Sequence, residues 1–156
     1  HFTKQKNNTR KEHKKNTILY VGRLSKEKGI LDLVQVFKKI ENKSAKLIIV
    51  GATPHDVLLP QIKTLLQHTN HEIVPWIENE DELESYYQQA SLVVLPSHYD
   101  SFNMVGIEAL AYGVPLLVSN IAVFNEIYSN IEGVMSFEVK NLNDLRKKII
   151  GRLKAF

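Results

Sequence analysis

Cysteine is absent from the 156 residues, which excludes disulfides and thiolate-held metals and is compatible with a reducing compartment. Apolar runs are short, and none approaches the ~20 residues that a membrane-spanning helix requires. No signal-peptide pattern is visible either, so a cytoplasmic location is expected. His, Asp and Glu do not cluster at metal-ligand spacing, and no metal or other cofactor is expected. The glycines form neither a Walker loop nor the three-glycine dinucleotide fingerprint. What the chain does have is a hydrophobic content of 44% against 24% charged, ordinary for a soluble globular protein. Its length suits a single domain that buries roughly two-thirds of its chain surface.

The formal net charge of +3 is unevenly spread. Lys4, Lys6, Arg10, Lys11, Lys14 and Lys15 face only Glu12 in the first fifteen residues, which is six minus one, or +5. The remainder is therefore slightly acidic. A basic, Asn-rich, apolar-poor run reads first as a solvated linker, assigned to residues 1–16. Attraction to anionic lipid heads is the second reading and would place the protein peripherally at the inner face of a membrane. Nucleic acid is not an expected partner, because no aromatic residues interleave with these charges.

From Thr17 onward two periods alternate. Thr17–Gly22, Lys46–Gly51, His71–Val74, Leu92–Leu95, Val114–Val118 and Gly133–Phe137 are short apolar runs that predict strands. Between them, Ile30, Leu33, Val34, Phe37 and Ile40 recur at helical spacing. Leu58, Ile62, Leu65 and Leu66 mark a second helix, with Pro60 tolerable only near its first turn. Further helices are predicted over Asp81–Gln89, after Phe102, around Phe124–Ile127, and along Leu142, Leu145, Ile149 and Leu153. Strands apolar on both faces, alternating with amphipathic helices, define an α/β fold: a Rossmann-like parallel sheet with helices on both faces.

Ligands in such folds sit at the carboxyl ends of the strands, where two segments draw the eye. Asp100-Ser-Phe-Asn-Met-Val-Gly-Ile-Glu108 follows strand Leu92–Leu95 and predicts a helix that opens with two acids near its start. A helix N-terminus attracts anions, phosphate above all. Carboxylates beside it suit a ligand that also carries hydroxyls, since one carboxylate accepts from two of them. That combination points to a phosphorylated sugar or a nucleotide. The other segment, Gly22-Arg-Leu-Ser-Lys-Glu-Lys-Gly29, presents Arg23 and Lys28 on a loop entering a helix, with a glycine at each end for close backbone approach. Two such cations suit a diphosphate. Composition alone equally allows solvated charges on a surface loop.

Gly22-Arg-Leu-Ser-Lys-Glu-Lys-Gly29 and Pro96-Ser97…Asp100-Ser-Phe…Glu108-Ala…Gly113-Val-Pro115 together resemble the two hallmark motifs of the group 1 (family 4) retaining glycosyltransferases. In that family the second motif is a pair of Glu residues separated by seven others, and Asp100 and Glu108 keep the spacing. The resemblance covers Thr17 to Leu145. It implies one Rossmann-like half, residues 17–156, of a two-domain GT-B enzyme, the carboxyl-terminal half that binds a nucleotide-sugar donor, most commonly a UDP-sugar. The amino-terminal domain, which holds a glycan, glycolipid or protein acceptor, would lie outside this chain, and the fragment alone would bind donor without efficient transfer.

The resemblance also implies roles. Arg23 and Lys28, beside Gly22, would neutralise the donor diphosphate as it leaves. Backbone N–H groups around Ser101, Phe102, Asn103 and Met104 would cradle phosphate or sugar. Glu108 would accept both ribose hydroxyls, and Asp100 would hold sugar hydroxyls and steady charge at the anomeric carbon. Trp76, in Pro75-Trp76-Ile77, would stack on or edge the base; a core or lid role is the alternative. His98 and Tyr99, just before Asp100, would line the sugar pocket; side chains that pack or face solvent are the alternative. Three departures stand out: Asp100 where Glu is usual, Asn103 where glycine is usual, and no paired glycines before Glu126, which is therefore read as structural. A non-catalytic nucleotide-sugar-binding or scaffold domain, and a GT-B-fold sugar-nucleotide epimerase, are the alternatives to transfer.

Overall fold

In the computed structural model, which describes residues 16–153, the apolar runs form strands β1 (Thr17–Val21), β2 (Lys46–Ala52), β3 (His71–Pro75), β4 (Leu92–Leu95), β5 (Leu116–Ser119) and β6 (Val134–Phe137). The amphipathic stretches form α1 (Ile30–Lys38), α2 (Leu59–Leu65), α3 (Glu80–Gln89), α4 (Met104–Ala111), α5 (Ala122–Tyr128) and α6 (Leu142–Arg152). The basic run assigned as a linker falls, through residue 15, outside the described residues.

The strands make one six-stranded sheet in the order β3-β2-β1-β4-β5-β6, and every pairing is parallel. The chain lays β2 and β3 to one side of β1, then returns to set β4 on the other side, with Ile18 opposite Leu92 and Leu19 opposite Val93. Crossovers between parallel strands are right-handed, so reversing the direction of travel puts the connecting helices on the opposite face. Strand side chains alternate between faces, and the core divides accordingly. Ile18, Leu47, Ile49, Leu92 and Val94 pack with Leu33 and Phe37 of α1, Ile62 of α2, and Leu145 and Ile149 of α6. Leu19, Ile48, Val50, Val93 and Leu95 pack with Tyr87 of α3, Ala109 of α4, and Phe124 and Tyr128 of α5. Each fully buried aliphatic side chain contributes about 2 kcal/mol.

Helix starts follow local chemistry. Asn79 accepts from the Glu82 N–H at 2.9 Å, and Glu80, Asp81 and Glu82 occupy the first turn of α3, where the partial positive charge favours acids. Asn141 caps α6 in the same way through the Asp144 N–H. Pro60 lies in the first turn of α2, where its missing N–H costs no helical hydrogen bond. One expectation is corrected: α4 has no acid in its first turn. Asp100 stops in the preceding loop, and Glu108 lies a turn along the helix.

Candidate functional site

The loops that leave β1 and β4 start from adjacent strands and turn to opposite faces, which opens a crevice at the carboxyl ends of the sheet. Loop 22–29 and loop 96–103 line it together. Arg23, Glu27, Lys28, Tyr99, Asp100 and Ser101 surround a cleft of about 300 Å³. Five of these are residues singled out as candidates in the sequence; Glu27, though inside the segment Gly22–Gly29, was given no role.

The two loops are tied into one body. The N–H groups of His98 and Tyr99 both donate to the Glu27 carbonyl, at 2.8 and 3.2 Å. His98 Nε2 lies 2.6 Å from Asp32 Oδ2 on α1. Gly29, with φ 75°, sits so close to the next loop that a Cβ there would fall 2.0 Å from the Pro96 carbonyl oxygen. Gly51 meets the Gly22 carbonyl oxygen in a similar way, at 2.1 Å. At Gly29 the close approach is thus of protein backbone to protein backbone, whereas a Cβ on Gly22 would meet only the Tyr20 side chain, at 3.4 Å.

Asp100 is the centre of the arrangement. Lys28 Nζ lies 3.0 Å from its Oδ1, which also accepts from the Ser101 N–H at 3.0 Å. Its Oδ2 accepts from Ser97 Oγ at 2.9 Å and from Asn103 Nδ2 at 3.0 Å. Burial opposes the charged form, but hydrogen bonds from Asn103, Lys28 and Ser97, with the Lys28 charge, outweigh it and hold the carboxyl below its ordinary range. The side chain is only 2% exposed. Lys28, expected to face phosphate, is paired with Asp100, whereas Arg23 is exposed at the mouth. The Arg23 backbone is fixed from below, where the Tyr20 hydroxyl donates to its carbonyl. Burial, then the Asp100 charge, raises the Tyr20 pKa far above the ordinary phenol value, so that hydroxyl remains a donor.

Asn103 turns its side chain inward. It is the N-cap of α4, accepting from the Val105 N–H at 2.8 Å, while its amide nitrogen serves Asp100. Both ends of the amide are engaged within the protein, and one N–H of the helix start is occupied by the cap. Phe102 and Met104 are exposed beside it. Trp76 is 52% exposed just past β3, on the same rim but two strands from β1, or roughly 10 Å away at ordinary strand spacing. Gly22 closes β1, its N–H donating to the Val50 carbonyl at 2.9 Å. Glu126 is exposed on α5.

Glu108 is half-buried, about 6 Å along α4 from Met104. Its Oε1 accepts from the Tyr87 hydroxyl at 2.9 Å. Among the described residues no group of His, Asp and Glu could hold a metal ion. Sequence reasoning missed Ser97, Tyr87 and the inward use of Asn103. Only the Asn103 cap carried a local signal, a side-chain acceptor directly before a helical run.

The fold and the crevice define a Rossmann-like domain of the GT-B glycosyltransferase kind. The family described as glycosyl transferases group 1 matches residues 1–154, and the chain belongs to it. An uncharacterized glycosyltransferase of Methanocaldococcus jannaschii is 37% identical over 111 residues, which is 70% of this chain and 28% of that protein. The capsular polysaccharide biosynthesis glycosyltransferase CapM of Staphylococcus aureus is 34% identical over 104 residues, 65% of this chain and 27% of that protein. Among solved structures, sucrose-phosphate synthase from Thermosynechococcus elongatus superposes with a TM-score of 0.77 at 28% identity, covering 88% of this chain and 36% of that one. The chain spans about a third or less of the length of the curated relatives it matches. No helix among the described residues is long and apolar enough to cross a membrane.

Proposed function

We propose that residues 17–156 form the donor-binding domain of a retaining, metal-independent glycosyltransferase. It moves a sugar from a nucleotide-diphosphate sugar, UDP-sugars first among the donors to try, to a hydroxyl of a glycan, glycolipid or protein. The acceptor is held by an amino-terminal domain outside this chain, and this piece alone binds donor without efficient transfer. The observation that carries the reading is the meeting of Arg23, Lys28 and Asp100 around one cleft at the switch point of the sheet. The relative named for capsular polysaccharide biosynthesis supports an acceptor in the cell envelope, and the basic run at residues 1–15 supports a peripheral position at the inner face of a membrane.

In this mechanism Arg23 and Lys28 stabilise the diphosphate as it leaves, supplying the charge a metal would otherwise supply. Lys28 exchanges Asp100 for phosphate when donor binds. Asp100 Oδ1, relieved of Lys28 but still accepting from the Ser101 N–H, turns its remaining lone pair to a hydroxyl of the sugar and to the positive charge growing at the anomeric carbon. Glu108 takes the ribose hydroxyls, and the acceptor hydroxyl attacks from the face the diphosphate leaves.

Thermal melting with UDP, GDP, ADP and CDP tests the donor site. Ligand at a hundred times its Kd adds about 2.7 kcal/mol, a rise in Tm of roughly 5–10 °C for a domain of this size. A rise with one diphosphate, absent in Arg23→Ala and Glu108→Ala, is the expected result. No rise with any of the four, here or in a longer chain that includes the preceding domain, would end the reading.

A further inference from the structure

Tyr87 lies outside the two motifs and outside the cleft, yet its position is tightly determined. The side chain is 1% exposed, and its ring stacks on Tyr112 with centroids 5.5 Å apart and planes 22° from parallel. Its hydroxyl reaches from α3 to α4 and donates to Glu108 Oε1 at 2.9 Å. Burial first, then the charge and hydrogen bond of Glu108, raise its pKa far above the ordinary phenol value, so the phenol remains protonated. The preceding residue makes the contrast: Tyr86 is half-buried, and its hydroxyl reaches Glu72 at 3.4 Å.

A glutamate side chain has three torsions, and a ligand that must freeze them loses affinity to that ordering. Glu108 meets a donor that is already immobile. We propose that Tyr87 is a positioning residue for nucleotide recognition: by holding Oε1 it fixes the Glu108 carboxylate in the orientation that accepts the ribose hydroxyls. The inference rests on the donor-site reading above. It extends that reading to a residue whose own hydroxyl never touches the ligand.

A buried tyrosine also needs a hydrogen-bond partner for its own sake, so the test must separate positioning from packing. Calorimetric titration of this chain with UDP, GDP, ADP and CDP first selects the tightest binder. The readout is then its affinity relative to the 2′-deoxy counterpart. The wild type favours the ribonucleotide, and Glu108→Gln abolishes most of that preference. Tyr87→Phe keeps the ring but loses about tenfold in ribonucleotide affinity, or about 1.4 kcal/mol, with little change for the deoxy form. Tyr86→Phe leaves the ratio intact. Partial unfolding of a variant lowers both affinities by the same folded fraction, so the ratio still reports on positioning. A wild-type ratio in Tyr87→Phe overturns the proposal alone. Failure of the wild type to bind any of the four diphosphates, in this chain and in a longer one that includes the preceding domain, overturns the donor site with it.

Discussion

Four donors converge on the Asp100 carboxylate, from Ser97, Asn103, Lys28 and the Ser101 backbone. Hydrogen bonds to a charged group contribute about 1.5–3 kcal/mol each when buried, and here they overcome the cost of burial. Asp100→Asn keeps the shape but removes the charge, and it should lower stability at neutral pH by about 2 kcal/mol. The pH dependence has a definite sign. A carboxyl whose folded pKa lies below its ordinary 3.8 binds fewer protons in the folded state. Its contribution is therefore complete above the unfolded pKa and is lost as pH falls through the folded one. Urea unfolding of wild type and Asp100→Asn should show a constant gap from pH 7 to about 5 that narrows progressively below about pH 4. A gap that keeps its full neutral-pH size at about pH 3 would mean the charge is not what the donors stabilise. Little of this was legible in the sequence. Lys28 is 72 positions away, and nothing in Ser97 or Asn103 shows that they turn inward. The shorter reach of aspartate, expected to alter sugar contact, here fits an acid drawn into its own loop.

The elements themselves were legible, because the four inner strands are buried on both faces and the helices on one, and those two periods differ. Boundaries moved by a residue or two where caps decided them: Asn79 starts α3 at Glu80, and Asn103 starts α4 at Met104. Contacts between elements were not legible. Tyr87 and Glu108 face each other across α3 and α4, and no periodicity within either helix reports that. Gly29 shows how two elements are joined. It has a left-handed φ of 75° at the start of α1, and its missing Cβ makes room for the Pro96 carbonyl at the end of β4. Alanine there meets both objections, about 1–2 kcal/mol for the backbone conformation and about 1–3 kcal/mol for overpacking. Because the atoms in the way are backbone, neither loop relaxes without moving the other. Gly29→Ala should destabilise by about 3 kcal/mol and lower Tm by roughly 6–12 °C. Unchanged melting would show that the loops are not packed backbone to backbone.

Across the whole molecule, the position of β1 accounts for both the stability and the place of the site. It is the strand from which the chain travels first one way and then the other, so it is flanked by β2 and β4 and covered on both faces. Ile18 and Leu19 are fully buried. Amides there should open only when the domain unfolds, whereas the edge strand β6, with Ser136 exposed and Val134 and Met135 half-buried, should open locally. The same reversal of direction creates the crevice, and the Glu27 carbonyl couples its two walls through His98 and Tyr99. Hydrogen exchange should therefore rank β1 slowest and β6 among the fastest of the strands. His98 and Tyr99 should be protected although they lie in a loop. A nucleoside diphosphate that binds Arg23 and Lys28 should then slow exchange over residues 22–29 and 96–104 together, because holding one wall restrains the other, and leave β6 unchanged. Protection confined to residues 22–29 would show that the two walls move independently, and that the crevice is two adjacent loops rather than one cradle.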